Sequence, residues 1–165
     1  VSSSIAFGGK VKNILPLLAY TKFRKLDRMV YLTRVEHFNA AHKLSNPEWS
    51  EEKNFEVFDK CSNPNWHGHN YELHVTLKGD PNPDTGFVFN AKTLGKLIKD
   101  VILERVDHKN LNLDVDFMQG KHTSAENLAI GIWNELLPHI ESMGAQLHCV
   151  KLLETKSIYV EYYGA

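Results

Sequence analysis

Several features that would place a chain at once are missing here. Only two cysteines, Cys61 and Cys149, occur in 165 residues, too few for a disulfide framework, so a stapled extracellular scaffold is excluded and a reducing, cytoplasmic setting is expected. No apolar run approaches the roughly 18 residues of a membrane span, and no short-period repeat marks a solenoid. Neither sign of charge is in surplus: 19 Lys and Arg stand against 20 Asp and Glu, a net charge of -1. Without a basic excess the phosphate backbone has nothing to hold it, so neither nucleic acid nor membrane is expected as a partner. A bias toward Pro, Gln or Gly/Ser is also lacking, while 42% hydrophobic and 24% charged residues are globular values. The length suits one core. What is plentiful is histidine, nine in all, which puts metal chemistry first.

Residues 1–28 stand apart. They carry Lys10, Lys12, Lys22, Arg24, Lys25 and Arg28 against a single acid, Asp27, and their apolar stretch from Ile14 to Tyr20 is broken by Pro16. This reads as a leader or upstream translation, with Met29 as the functional start and 29–165 as the domain. From Met29, VYLTRVEHFNAAH is rich in β-branched and aromatic residues and reads as a strand, bulged where its alternation slips near Arg34. The polar stretch 45–60 reads as a long loop or a short helix around Glu51 to Phe58, and His69 to Lys78 alternates as a half-buried strand. After the turn-rich GDPNPDTG, FVF reads as a short strand leading to Asn90, the N-cap of a first helix. Thr123 and Glu126 read as the capping box of a second helix, with Leu128, Ile132, Leu136 and Ile140 along one face. LHCVKLLE and SIYVEYY then read as a hairpin turning at Thr155 and Lys156. The order predicts an α+β fold: one four-stranded antiparallel sheet with two helices packed on one face.

The densest chemistry is in Cys61-Ser-Asn-Pro-Asn-Trp-His67-Gly-His69. On a strand, residues i and i+2 share a face about 7 Å apart, so His67 and His69 can offer nitrogens to one ion. A catalytic zinc needs a third ligand; His42 is the candidate and His37, on the same predicted strand, its rival. Without that ligand the pair is only a solvated strand face. Cys61 lies in a polar loop, where a neighbouring cation would stabilise a thiolate; Cys149, in an apolar strand, reads as a structural residue. Asp107 directly precedes His108, and an acid beside an imidazole sets its tautomer. Glu154 ends an apolar strand, and one carboxylate can take two parallel hydrogen bonds from a heterocycle.

Taken together, FNAAHKL, C-x5-HGHNYEL, PDTGFVFN, VDHKNLNLDV, TSAENLA and ETKSIYVEY resemble the 6-pyruvoyltetrahydropterin synthase family and its tunnelling fold, over nearly all of Tyr31 to Tyr163. The resemblance implies His42, His67 and His69 as zinc ligands, Cys61 with Asp107 and His108 as catalytic residues, and Glu154 as the pterin anchor. It also places Thr123, Ser124 and Glu126 near the substrate. Trp66 before HGH and Ala125 in the helix-start motif depart from the family pattern. The implied reaction turns 7,8-dihydroneopterin triphosphate into 6-pyruvoyl-tetrahydropterin with loss of triphosphate, a step in making tetrahydrobiopterin. Relatives that make 6-carboxytetrahydropterin for queuosine usually have a shorter C-x3-HGH loop, so that activity is the runner-up. A rival of another class is a structural zinc module closed by Cys61 as fourth ligand. The resemblance further implies a homohexamer, a dimer of trimers whose sheets join into a barrel, with Glu154 and the zinc site not all given to one substrate by a single chain.

Overall fold

A computed structural model describes residues 28–165, so the expected leader lies, apart from Arg28, outside the described residues. The elements are β1 (Val30–His42), α1 (Glu51–Phe58), β2 (His67–Gly79), α2 (Ala91–Ile98), α3 (Glu104–Val106), β3 (Lys109–Asn110), α4 (Ala125–Ser142), β4 (Gln146–Thr155) and β5 (Ile158–Tyr162). The α+β class holds, but the sheet has five strands in the order β3-β1-β2-β4-β5. Its four long strands are antiparallel, and β3 runs parallel to β1, making the sheet mixed.

Alternation builds one wet face and one dry one. Phe38 and Ala40 of β1, Tyr71, Leu73, Val75 and Leu77 of β2, and Val150 and Leu152 of β4 are buried against Leu94, Ile98 and Ile102 and against Leu128, Ile132 and Leu136 of α4. Each such large side chain contributes about 1.5–3 kcal/mol on burial. The predicted bulge in β1 is absent: Val30 to His42 pair with Gly79 to His67 without a slip. The alternation falters at Arg34 because Arg34 and Glu36, both facing the helices, satisfy each other at 2.6 Å. The irregularity lies instead on β4, opposite Thr76 and Leu77.

FVF is not a strand. Its loop closes on itself, with the Gly86 N–H donating to Asn82 O at 2.7 Å and the Asn82 N–H to Phe87 O at 2.9 Å, leaving no ladder to join. The short helix 51–58 forms, capped by Ser50. Asn90 caps α2 as expected, accepting from the N–H groups of Lys92 and Thr93; a π-helical turn over Lys99–Leu103 then carries the chain into α3. At α4 the cap is Ser124, which accepts from the Asn127 N–H, and not a Thr123–Glu126 box. The Thr123 hydroxyl is turned instead to Lys43 O and Asn112 Oδ1, 3.1 Å from each. The final hairpin pairs Thr155 with Ile158, so its turn is Lys156 and Ser157, one residue later than predicted.

Candidate metal centre

The register places the site. The last residue of β1, His42, lies directly across from the first residue of β2, His67, and period two puts His69 on the same helix-facing side. Their ring centroids are 4.4 Å (His42–His67), 5.1 Å (His42–His69) and 5.0 Å (His67–His69) apart. One nitrogen from each lies within 4.8 Å of the others, a set that can hold a metal ion. Gly68 is needed between them, since a Cβ there would come within 3.0 Å of the Ala40 carbonyl oxygen. The rival His37 falls on the opposite face, where its Nε2 meets Glu72 Oε2 at 3.3 Å.

The chemistry of these donors suits a cation. His42 is 1% exposed; burial, reinforced by the neighbouring His67 and His69, lowers its pKa from 6.5 to about 4 against the opposing pull of the Thr123 carbonyl. Burial and His69 also lower that of His67. Neutral imidazole is the form that binds metal. Among the described residues His42 Nε2 and both nitrogens of His67 are buried without a hydrogen-bond partner, a cost that an ion would remove. His42 Nδ1 is 2.7 Å from the Thr123 carbonyl oxygen, which leaves Nε2 as the ligand atom.

Glu154 projects from the same dry face of β4, with Oε1 at 3.4 Å from His42 Nε2 and 3.7 Å from His69 Nε2. One chain therefore brings Glu154 and all three histidines together, correcting the expectation that they would be divided. Cys61, in the 3-10 turn Asp59–Ser62, is close enough for Glu154 to act on it: burial, then Glu154, then Asp59 raise its thiol pKa. Its sulfur is outside the three-histidine cluster, so the closed four-ligand site is not formed.

Asp107 and His108 are tied to Asn39, and His108 lines a cleft with Gly68 and His69. Asp107 Oδ1 accepts from the Asn39 N–H at 2.8 Å and lies 3.0 Å from His108 Nδ1, while the His108 N–H donates to Asn39 O at 2.6 Å. The Asn39 bond, then His108, lowers the Asp107 pKa. This double bond to Asn39 holds His108 at φ 57°, a backbone region that non-glycine residues avoid. His108 Nδ1 faces the carboxylate, and its side chain is 78% exposed. Neither residue is among the groups whose charge bears on Cys61. Of the helix-start residues, Thr123 reaches the centre through its carbonyl, Ser124 is engaged as the cap, and Glu126 is exposed in the first turn of α4.

Tyr71 escaped the sequence reading. It is 1% exposed, stacks on Phe38 at 4.8 Å, and meets His69 and His42 edge-on at 5.7 and 6.3 Å. Its hydroxyl has no partner among the described residues. The available signal was its place at i+2 from His69 on an alternating strand. An unmet buried O–H costs about 1–3 kcal/mol, so Tyr71→Phe is expected to stabilise the metal-free chain by about 1 kcal/mol, read as a raised urea midpoint; a lowered midpoint would show that the hydroxyl is bonded.

An α+β fold with three imidazoles converging at one end of its mixed sheet defines a site that can hold a metal ion. The chain belongs to the 6-pyruvoyl tetrahydropterin synthase family, whose model matches residues 31–165. It is 40% identical over 139 residues to the 6-pyruvoyl tetrahydrobiopterin synthase of Poecilia reticulata, covering 84% of this chain and 92% of that one. The structure of Caenorhabditis elegans 6-pyruvoyl tetrahydropterin synthase matches with a TM-score of 0.78 at 36% identity, over 83% of this chain and 96% of that one. The Bacillus subtilis 6-carboxy-5,6,7,8-tetrahydropterin synthase is more distant, 29% identical over 136 residues, 79% of this chain and 83% of that protein. Among the described residues no helix is long and apolar enough to cross a membrane.

Proposed function

We propose that the chain is a zinc-dependent lyase that converts 7,8-dihydroneopterin triphosphate to 6-pyruvoyl-tetrahydropterin and triphosphate. The observation that carries this reading is the convergence of His42, His67 and His69 with Glu154 against them and Cys61 within reach of its charge, joined to the 40% identity with a 6-pyruvoyl synthase. His42, His67 and His69 would hold the zinc, which when bound would supply Lewis acidity toward the side-chain oxygens of the substrate and make the adjacent C–H protons easier to remove. Glu154 anchors the pterin by accepting from its amino group and a ring N–H. Cys61 takes the C–H proton as thiolate; burial and the charges of Glu154 and Asp59 hold it protonated in the metal-free chain, so it needs a nearby cation to act. His108, its tautomer set by Asp107, receives and returns protons at Nε2. One carbinol carbon becomes a ketone as its hydrogens pass to the pterin ring, and departure of triphosphate leaves an enol that becomes the second ketone. Electrons balance within one molecule, and no redox cofactor is needed.

Product analysis decides the reading. Zinc-loaded protein given dihydroneopterin triphosphate is expected to release triphosphate and a pterin with the mass of the 6-pyruvoyl compound. A 6-carboxy product would establish the runner-up, and no turnover by a fully zinc-loaded chain would overturn the enzyme. The working unit is proposed to be a homohexamer in a cytoplasmic setting.

A further inference from the structure

The second half of the VDHKNLNLDV motif has no role in the reaction above, yet Asn112 within it ties three distant segments together. Its Oδ1 accepts from the Lys43 N–H at 3.0 Å and its Nδ2 donates to Lys43 O at 3.0 Å, across 69 positions of sequence. The amide thus holds both polar groups of the residue that follows His42. The same Oδ1 is 3.1 Å from the Thr123 hydroxyl, which also donates to Lys43 O at 3.1 Å. Thr123 is 1% exposed, and its carbonyl oxygen is the one 2.7 Å from His42 Nδ1. Asn112 is itself braced, donating its N–H to Asn110 Oδ1 at 2.9 Å.

We propose that Asn112 is the positioning residue of the metal centre: by clamping Lys43 and Thr123 to each other, it aims the Thr123 carbonyl at His42 Nδ1 and so fixes which nitrogen of His42 faces the metal. The inference rests on the reading of His42 as a ligand. The physical need is plain at the end of a strand. β1 stops at His42, so the ladder no longer holds the chain there, and the side-chain amide of Asn112 supplies the two bonds a neighbouring strand would have made. A ligating imidazole whose second nitrogen is bonded keeps its tautomer and ring direction, and loss of such a partner typically weakens metal binding about 10–100-fold.

The test compares the full chain with Asn112→Ala, Thr123→Val and Gln119→Ala. Gln119 touches the Asn112 carbonyl oxygen at 3.3 Å but neither Lys43 nor Thr123, and serves as the control. Zinc affinity is measured by competition with a chromophoric chelator, and the His42 tautomer in metal-free protein by ¹⁵N NMR. The wild-type chain is expected to carry its His42 proton on Nδ1. Asn112→Ala is expected to mix the tautomers and weaken zinc about 10-fold or more, Thr123→Val to do so by less, and Gln119→Ala to leave both unchanged. A role confined to loop stability would lower the melting temperature and move neither readout. Zinc affinity within about two-fold of wild type and an unchanged tautomer in Asn112→Ala overturn the proposal. If Asn112→Ala does not fold, Thr123→Val, which removes a single hydroxyl, decides by the same two readouts. A wild-type chain that binds no zinc refutes the ligand reading and this proposal with it, whereas one that binds zinc and turns over no substrate refutes only the catalytic reading.

Discussion

Cys61→Ala is expected to lower turnover by about 10²–10⁴-fold, the usual worth of a positioned general base, while zinc stoichiometry and the melting temperature stay near those of the wild-type chain. The reasoning is geometric. The three imidazoles form a metal set by themselves, with the Cys61 sulfur outside it, so removing the thiol takes away a proton acceptor and no ligand. The backbone of Cys61 continues to accept from the Leu44 N–H at 2.8 Å, so the loop keeps its tie to the end of β1. His42→Ala should behave in the opposite order. It deletes a ligand and opens a cavity under Tyr71, whose ring meets His42 edge-on, so zinc is lost first and activity with it. Zinc content measured beside initial rate separates the two variants. Parallel loss of zinc in Cys61→Ala would make the thiol a ligand and restore the structural module as the reading.

Much of this centre was visible in the sequence, and the reason is periodicity. His67 and His69 declare a shared face because a strand repeats every two residues, and the same count separates His42, in step with Phe38 and Ala40, from His37. What periodicity does not carry is register. That His42 lies across from His67 depends on the whole length of the β1–β2 ladder, so the residues left His42 as candidate with His37 as rival, and the family resemblance then implied His42. The faults in the fold have the same origin. FVF has the composition of a strand but lacks a partner, whereas Lys109 and Asn110 have no strand composition and pair with Ala40 and Ala41 because α3 delivers them there. Thr123 looked like a cap by its spacing to Glu126; its hydroxyl is turned instead to Lys43, 80 positions away, and Ser124 caps the helix. Asn112 and Tyr71 were silent for that reason too, since their meaning lies in partners that local sequence does not reveal.

Assembly is where the geometry makes its largest demand. In one chain, Cys61 and Glu154 attend the histidines, while the Asp107–His108 pair is anchored to Asn39, exposed on the opposite face of β1 from His42, and His108 lines a cleft with His69. We expect the two sets that serve one substrate to come from different copies. The sheet offers the means: β5 is one edge, and on the other side β1 is paired by β3 only at Ala40 and Ala41. Unlike edges that pair head to tail can close into a ring, and in such a ring each seam is expected to bring one copy's His108 toward the next copy's metal centre. Two inactive variants, Cys61→Ala and His108→Ala, are therefore expected to regain activity when dissociated and reassembled together. In an equal mixture a site is whole when one copy keeps Cys61 and its neighbour keeps His108, so about a quarter of wild-type activity should return. Light scattering on the wild-type chain should report a hexamer, with activity falling on dilution. A fully active monomer, or a mixture that stays inactive while forming the same ring, would place every catalytic group within one chain and end the shared-site argument.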